Sequence, residues 1–132
     1  MTQKLLEESC LYLKNKGFEN PEIGIVLGTG LGRLIDHIES AVVAHYHNIP
    51  FFPLATVEFH SGKLIYGTLE NKKVVVMQGR FHVYEGYEFD DVTYPIRVMR
   101  ELGIEKLFIS NAAGAVNLNF KKGELMLIED HI

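Results

Sequence analysis

The sequence predicts an α/β protein whose mixed β-sheet is flanked by helices. Short apolar runs rich in β-branched residues, such as Val74–Met77, are typical of strands buried on both faces. These runs alternate with stretches of helical periodicity, an order that favours parallel strands joined by crossovers. Two runs, 63–69 and 72–78, are separated only by Glu70 and Asn71. That spacing predicts a hairpin, so the sheet should be mixed rather than purely parallel.

Length and composition indicate one globular domain over residues 1–132. A chain of 132 residues can bury a sizeable core, since a domain of ~150 residues buries ~70% of its unfolded surface. There are no repeats, low-complexity segments or linkers. The apolar content of 47% is that of a globular protein. The net charge of −4 argues against a general nucleic-acid-binding surface, although a local anion site remains compatible with it.

The same features favour a cytoplasmic protein. The single cysteine, Cys10, cannot form an internal disulfide and suits a reducing compartment. Glu7 and Glu8 stand where a signal peptide would be apolar, and no run reaches the ~18 apolar residues of a membrane helix. We therefore expect no membrane association.

The first elements are a helix and a strand. Residues 2–16 place Leu6, Cys10 and Leu13 at helical spacing, and Gly17 is a suitable stop. Because Cys10 lies on this apolar stripe, we interpret it as a small core residue rather than a nucleophile. Gly24–Leu27 then predicts the first buried strand.

A glycine-rich turn, Gly28–Gly32, follows that strand and precedes a short helical pattern, Arg33–Ile38. A strand, a glycine turn and a helix start form an anion cradle, because unpaired backbone N–H groups point at the ligand. Thr29 adds a hydroxyl donor within the turn. A dinucleotide fingerprint would need a glycine at Arg33 and an acid at Asn48, and a P-loop would need a lysine, so both alternatives fail.

The middle of the chain predicts a second strand and an irregular segment. Ala41–His47 predicts a strand with His45 and His47 on one face. A metal site there would need a third ligand that no histidine-rich spacing supplies, so we interpret both as surface histidines. Ile49–Phe59 contains two prolines, which favour a loop or an irregular edge.

The last third predicts a helix between strands. Asp90 or Asp91 should cap a helix that runs to Leu102, with Pro95 in its first turn. Three residues supply its apolar stripe and Gly103 ends it: Ile96, Met99 and Leu102. Two further strands are predicted, Lys106–Ser110 and Leu125–Ile128, and the helix should make a right-handed crossover.

Polar side chains gather where the predicted strands end. The turns at 28–32, 79–85 and 111–114 should all lie at one edge of the sheet, where α/β proteins bind ligands. Arg80, His82, Tyr84 and Glu85 follow the buried run directly, and together they favour an anionic, hydroxyl-rich ligand. The alternative is an ordinary solvated loop after a core strand.

These segments also resemble a known family, the trimeric purine nucleoside phosphorylases. The resemblance spans residues 24–132 and rests on four segments in the same order: Gly28–Gly32, His60–Leu64, Gln78–Tyr87 and Asn111–Gly114. Members of that family are about double this length, so the chain looks like their N-terminal half, apparently truncated, with a phosphorylase/hydrolase-like three-layer architecture. The resemblance implies phosphorolysis of purine (deoxy)ribonucleosides to the free base and (deoxy)ribose 1-phosphate. It also implies a homotrimer at full length, inorganic phosphate as co-substrate, and no cofactor or metal.

With phosphate and a nucleoside as ligands, each side chain has a chemical role. Arg80 can grip two phosphate oxygens in a planar fork, and His82 can donate to the dianion. Glu85 would repel phosphate directly, so it should orient Arg80 or His82. Tyr84 suits a ribose hydroxyl. The small residues 112–114 leave room for a flat base.

The expected site therefore has three parts. The catalytic set is Arg80, His82 and Glu85. The phosphate set is Thr29, His60, Arg80, His82 and Ala112. Without the resemblance, the sequence around His60 is explained equally well by a solvated turn residue. The nucleoside set is Tyr84, Ala112, Ala113 and Gly114. Thr29 replaces the serine that is common in the family and keeps its hydroxyl.

The resemblance leaves the purine preference open. In the family, an acid and an amide side chain hold the base, and a neighbouring subunit contributes an aromatic residue. These residues lie beyond the part of the family sequence that this chain matches. Two other readings are a non-catalytic, truncated phosphate-binding fragment and a methylthioadenosine phosphorylase of the same superfamily. The run Arg80–Tyr87 disfavours the second.

Overall fold

A five-stranded mixed sheet forms the centre of the computed structural model, which describes residues 2–54 and 62–132. The strands are β1 (Ile23–Val26), β2 (Glu39–His45), β3 (Lys63–Leu69), β4 (Lys72–Gln78) and β5 (Lys106–Ile109). Their order across the sheet is β2-β3-β4-β1-β5. β1 pairs in parallel with both β4 and β5, whereas β2, β3 and β4 pair antiparallel. The predicted mixed α/β class is confirmed.

The hairpin between β3 and β4 is also confirmed, with the predicted bounds. Its register runs from Lys63 opposite Gln78 to Leu69 opposite Lys72. Glu70 and Asn71 both have positive φ, 48° and 62°. A type I′ turn requires positive φ at both central residues, and its twist matches that of the two strands.

Both α-helices pack on one face of the sheet. They are α1 (Gln3–Asn15) and α2 (Phe89–Leu102), and their buried side chains share one core cluster with Val75 and Met77 of β4. Val74 and Val76 point to the opposite face because side chains alternate along a strand. There they pack with the 3-10 helix Gly32–His37. Burying one such side chain fully contributes about 1.5–3 kcal/mol.

A buried polar network joins the two helices. The Ser9 hydroxyl donates to the carbonyl oxygen of Pro50 at 2.6 Å and lies 2.7 Å from the Tyr94 hydroxyl. Tyr94 in turn donates to the carbonyl of Leu5 at 3.0 Å. Cys10 is buried beside this network, as predicted for a core residue, and burial raises the pKa of its thiol to about 11.

The start of α2 differs from the prediction. Glu88, not Asp90 or Asp91, is the N-cap, and its N–H donates to the Asp91 carboxylate at 3.1 Å. Asp91 therefore acts from the third helical position, in a capping box. Pro95 consequently lies in the second turn rather than the first, as a buried residue inside the helix. Gly103 ends the helix with φ 117°, as predicted.

Other bounds are shifted. β2 ends at His45, and the predicted continuation to His47 is instead a short 3-10 helix, Tyr46–Asn48, in which Tyr46 turns into the core. The imidazole rings of His45 and His47 stack with centroids 5.5 Å apart. Residues 49–54 have no strand, in accord with the predicted irregular segment, whose remainder lies outside the described residues.

The predicted strand Leu125–Ile128 was wrong. No helix or strand follows β5 in the described part of the chain, and Leu125 and Leu127 are exposed. A strand needs a neighbour that pairs with its backbone groups, and an apolar run does not itself provide one. Among the described residues, neither helix has the length and apolar character needed to cross a bilayer.

Candidate functional site: a cavity at the carboxyl edge of the parallel strands

The three motif turns meet at one edge of the sheet. Because β1, β4 and β5 are parallel, their carboxyl ends lie side by side, and a cavity of about 370 Å³ opens there. It is lined by Leu27, Gly28, Thr29, Gly79, Arg80, His82, Asn111 and Ala112. The predicted convergence of the turns is confirmed.

The glycine turn after β1 is held against the end of β5. The Gly28 N–H donates to the Ser110 hydroxyl oxygen at 2.9 Å. A Cβ at position 28 would lie 2.6 Å from the Ser110 carbonyl oxygen, so a side chain there would displace backbone. Glycine is therefore required by close approach, and it brings the exposed Thr29 to the cavity wall.

The Arg80 loop is set by Tyr46, which lies buried beneath it. The Tyr46 hydroxyl donates to the Gly79 carbonyl at 2.7 Å, and its backbone N–H donates to the Gly62 carbonyl at 3.0 Å. Burial raises the pKa of Tyr46 well above its usual range, so the phenol stays a neutral donor. Tyr46 thereby joins the start of β3 to the end of β4, where Gly79 turns the chain with φ 99°.

Arg80 spans from this loop to the loop after β5. Its Nη2 donates to the Ser110 carbonyl oxygen, and the side chain is half-buried. A guanidinium carries five N–H donors in a fixed plane. The contact to Ser110 therefore restrains the guanidinium, while its other N–H groups can face an anion in the cavity.

His82 is oriented by two neighbours in the short 3-10 segment that follows. Its Nδ1 lies 3.1 Å from Glu85 Oε1, and its ring stacks on Tyr84 with centroids 4.7 Å apart. The segment is anchored by Phe81, which is buried against Tyr46. With Nδ1 engaged by the carboxylate, Nε2 is the nitrogen available to a ligand.

The structure sorts the expected site residues into three groups. Thr29, Arg80, His82 and Ala112 line the cavity. Glu85 contacts His82, which is one of the two partners expected for it. Tyr84, Ala113 and Gly114 are exposed and do not line the cavity, and Tyr84 is 83% exposed. His60 lies outside the described residues.

Sequence reasoning missed several residues that build the site. Gly79 and Asn111 belong to the motif segments, so their motif context was the available signal. Ser110 contacts Gly28, 82 positions away in the sequence, and Tyr46 contacts Gly79, 33 positions away. No local sequence pattern around either residue reveals these contacts. Across residues 2–54 and 62–132, no three histidine, cysteine, aspartate or glutamate side chains are placed to hold a metal ion.

Fold and site together define an α/β protein with a polar cavity at the carboxyl edge of its parallel strands, lined by a glycine turn, a guanidinium and an imidazole. Comparison with known proteins agrees. Residues 22–132 match the phosphorylase superfamily, and the chain belongs to that family.

The chain is also similar in sequence to known purine nucleoside phosphorylases. The chain is 54% identical over its whole length to purine nucleoside phosphorylase 1 of Geobacillus stearothermophilus, of which it covers 48%. It is 52% identical over 96% of its length to purine nucleoside phosphorylase 1 of Bacillus subtilis, covering 47% of that protein. A solved structure of isoform 2 of the Schistosoma mansoni enzyme, in complex with cytosine and ribose-1-phosphate, superposes with a TM-score of 0.89 at 43% identity. That match covers 93% of this chain and 43% of the other. The chain thus spans about half the length of these relatives.

Proposed function

We propose that this chain forms the phosphate- and pentose-binding side of a purine nucleoside phosphorylase. The observation that carries the proposal is the cavity in which Thr29, Arg80, His82 and Ala112 meet at the end of three strands. Its donors suit a phosphate dianion. The likeness to purine nucleoside phosphorylases over the whole chain supplies the reaction.

In that reaction an oxygen of inorganic phosphate attacks the anomeric carbon of a purine (deoxy)ribonucleoside. The carbon–nitrogen bond to the base breaks, and its electron pair leaves with the purine, which takes up a proton. Positive charge develops on the sugar as the bond lengthens, so an anion held beside the anomeric carbon stabilises the transition state. The products are the free base and (deoxy)ribose 1-phosphate.

Several cavity residues would bind phosphate together, each through a different group. Arg80, oriented by Ser110, places two N–H groups toward two oxygens, and His82 donates from Nε2 while Glu85 holds its other nitrogen. Thr29 and the backbone N–H groups of the glycine turn and of Ala112 complete the set. Charge-assisted hydrogen bonds of this kind contribute about 1.5–3 kcal/mol each.

The nucleoside contacts are assigned from the resemblance. Tyr84, which stands exposed above His82, would reach a ribose hydroxyl, and the backbone from Ala112 to Gly114 would lie along the base. His60 completes the phosphate set in the proposal. The full protein would act as a cytoplasmic homotrimer with inorganic phosphate as co-substrate and no cofactor.

A chimera tests the proposal directly. This chain replaces the segment that it matches in the Geobacillus stearothermophilus relative, and hypoxanthine release from inosine is followed with and without phosphate. We expect phosphate-dependent turnover that falls about 100- to 1,000-fold in Arg80→Ala, as for loss of one preorganised donor. The matched control is Arg97→Ala, because Arg97 is exposed on α2, does not line this cavity and forms an ion pair with Asp90 at 3.9 Å.

Two results would overturn the proposal. A folded chimera that neither binds phosphate nor shows phosphate-dependent turnover would mean that this chain does not supply a working phosphate site. Equal activity of the Arg80→Ala and Arg97→Ala chimeras would remove Arg80 from the site. Phosphate binding without turnover would favour the non-catalytic reading.

A further inference from the structure

We infer that Ser110 is the positioning residue of the anion site, an inference that rests on the proposed function. Ser110 immediately follows β5 and is the point where the three converging loops are joined. Its hydroxyl and its amide contact the end of β1 and the glycine turn, and its carbonyl accepts a hydrogen bond from Arg80. No ligand contact is assigned to it.

The hydroxyl fixes the glycine turn. Ser110 Oγ accepts the Gly28 N–H at 2.9 Å and donates to the Val26 carbonyl at 3.2 Å. The Ser110 N–H donates to the same carbonyl at 3.1 Å. Because Gly28 is held in this way, its amide points into the protein, and the anion donors of the turn begin at the next residue, Thr29.

The carbonyl of Ser110 fixes the guanidinium. It accepts a hydrogen bond from Arg80 Nη2. The same residue therefore positions both the glycine turn and the guanidinium of Arg80. The Gly28 backbone packs so closely on this carbonyl that a Cβ would lie 2.6 Å away. Any movement of Ser110 therefore shifts Thr29 and Arg80 together.

Side-chain variants separate the hydroxyl from the carbonyl. Ser110→Ala removes the acceptor of the Gly28 N–H and leaves the carbonyl in place, while Ser110→Thr keeps a hydroxyl. Ser9→Ala is the matched control, because the Ser9 hydroxyl makes buried hydrogen bonds to Pro50 and Tyr94 on the helical side. That variant should lower stability without touching the cavity.

The test titrates inorganic phosphate into the isotopically labelled 132-residue chain and follows the amide resonances of residues 29–32 and 112, with chloride at equal ionic strength as reference. Ser110→Ala should weaken phosphate binding roughly 3- to 10-fold, the loss expected for one hydrogen bond. Hydrogen exchange at the Gly28 amide should become faster, and Ser110→Thr should restore the affinity. Ser9→Ala should bind phosphate as the wild type does while unfolding at lower urea concentration.

The outcomes separate the inference from the proposed function. Unchanged phosphate affinity in Ser110→Ala, against a wild type that binds, would overturn the inference alone. So would equal weakening by Ser9→Ala, because the effect would then follow stability rather than position. A wild-type chain whose resonances respond to phosphate no more than to chloride would overturn the proposed phosphate site itself.

Discussion

The contact between Gly28 and Ser110 makes Gly28→Ala the sharpest test of how the site is built. The added Cβ would lie 2.6 Å from the Ser110 carbonyl oxygen, 3.0 Å from its carbonyl carbon and 3.1 Å from the Asn111 Cα. All three atoms are backbone, so the strand end must move. Overpacking costs about 1–3 kcal/mol. Reduced conformational freedom of the unfolded chain offsets about 0.4–1 kcal/mol of this, which leaves a net destabilisation of about 0–2.6 kcal/mol, or about 1.3 kcal/mol from the midpoints of the two ranges.

Gly32→Ala is the control in the same turn. Apart from its chain neighbours and the backbone of its own helix, no described atom lies within 4 Å of its added Cβ, and its φ is not in the left-handed region. We expect this variant to be as stable as the wild type or up to about 1 kcal/mol more stable. Urea unfolding measures both variants, and phosphate titration should show weaker binding for Gly28→Ala only. If the two alanine variants unfold and bind alike, the close approach of Gly28 to the β5 loop is not what shapes the cavity.

Three further predictions concern single side chains. Thr29→Ala should raise the phosphate concentration needed for half-saturation, because Thr29 lines the cavity. The urea midpoint should change little, because Thr29 is exposed. Unchanged phosphate saturation would exclude its hydroxyl from the site. Tyr46→Phe should lower stability by about 1 kcal/mol and also weaken phosphate binding through Gly79, whereas Tyr94→Phe should lower stability alone. Burial raises the pKa of Cys10 from 9.0 to about 11, so above pH 9 the native state keeps a proton that the unfolded chain loses. Stability should therefore fall between about pH 9 and 11, and Cys10→Ala should lack that part of the fall.

The sheet was predictable where local signals agree. Both strands of the hairpin have the predicted bounds, because an apolar run on each side and Glu70-Asn71 between them point to the same turn. The start of α2 was less predictable, since several acidic residues compete for the N-cap and Glu88 precedes the two that were considered. The apolar run Leu125–Ile128 has the composition of a strand, but composition does not say whether a pairing partner is present.

The side chains that line the cavity were predictable for a different reason. Arg80 and His82 stand directly after a buried run, and the parallel order of the strands brings any such residue to the common edge. The residues that position them were not predictable, because Ser110 and Tyr46 act through hydrogen bonds to residues that are distant in the sequence. Tyr84 shows that a clear motif does not by itself place a side chain in the cavity. Its ring stacks on His82 and does not line the cavity.

The 132-residue chain by itself should not turn over purine nucleosides. The cavity wall offers donors for an anion, but the lining residues in the described part of the chain include no carboxylate that could hold a purine ring. The edge strand β5 carries Phe108 and Ile109 at 59% and 61% exposure, so an apolar edge of the sheet is uncovered in the described residues. Such an edge favours association between chains. We therefore expect concentration-dependent oligomers in sedimentation and no hypoxanthine release from inosine and phosphate, whereas the chimera should restore release. Turnover by the isolated chain near that of the chimera would mean that the base site is built from residues present here, with Tyr84 and residues 113–114 the first to be tested.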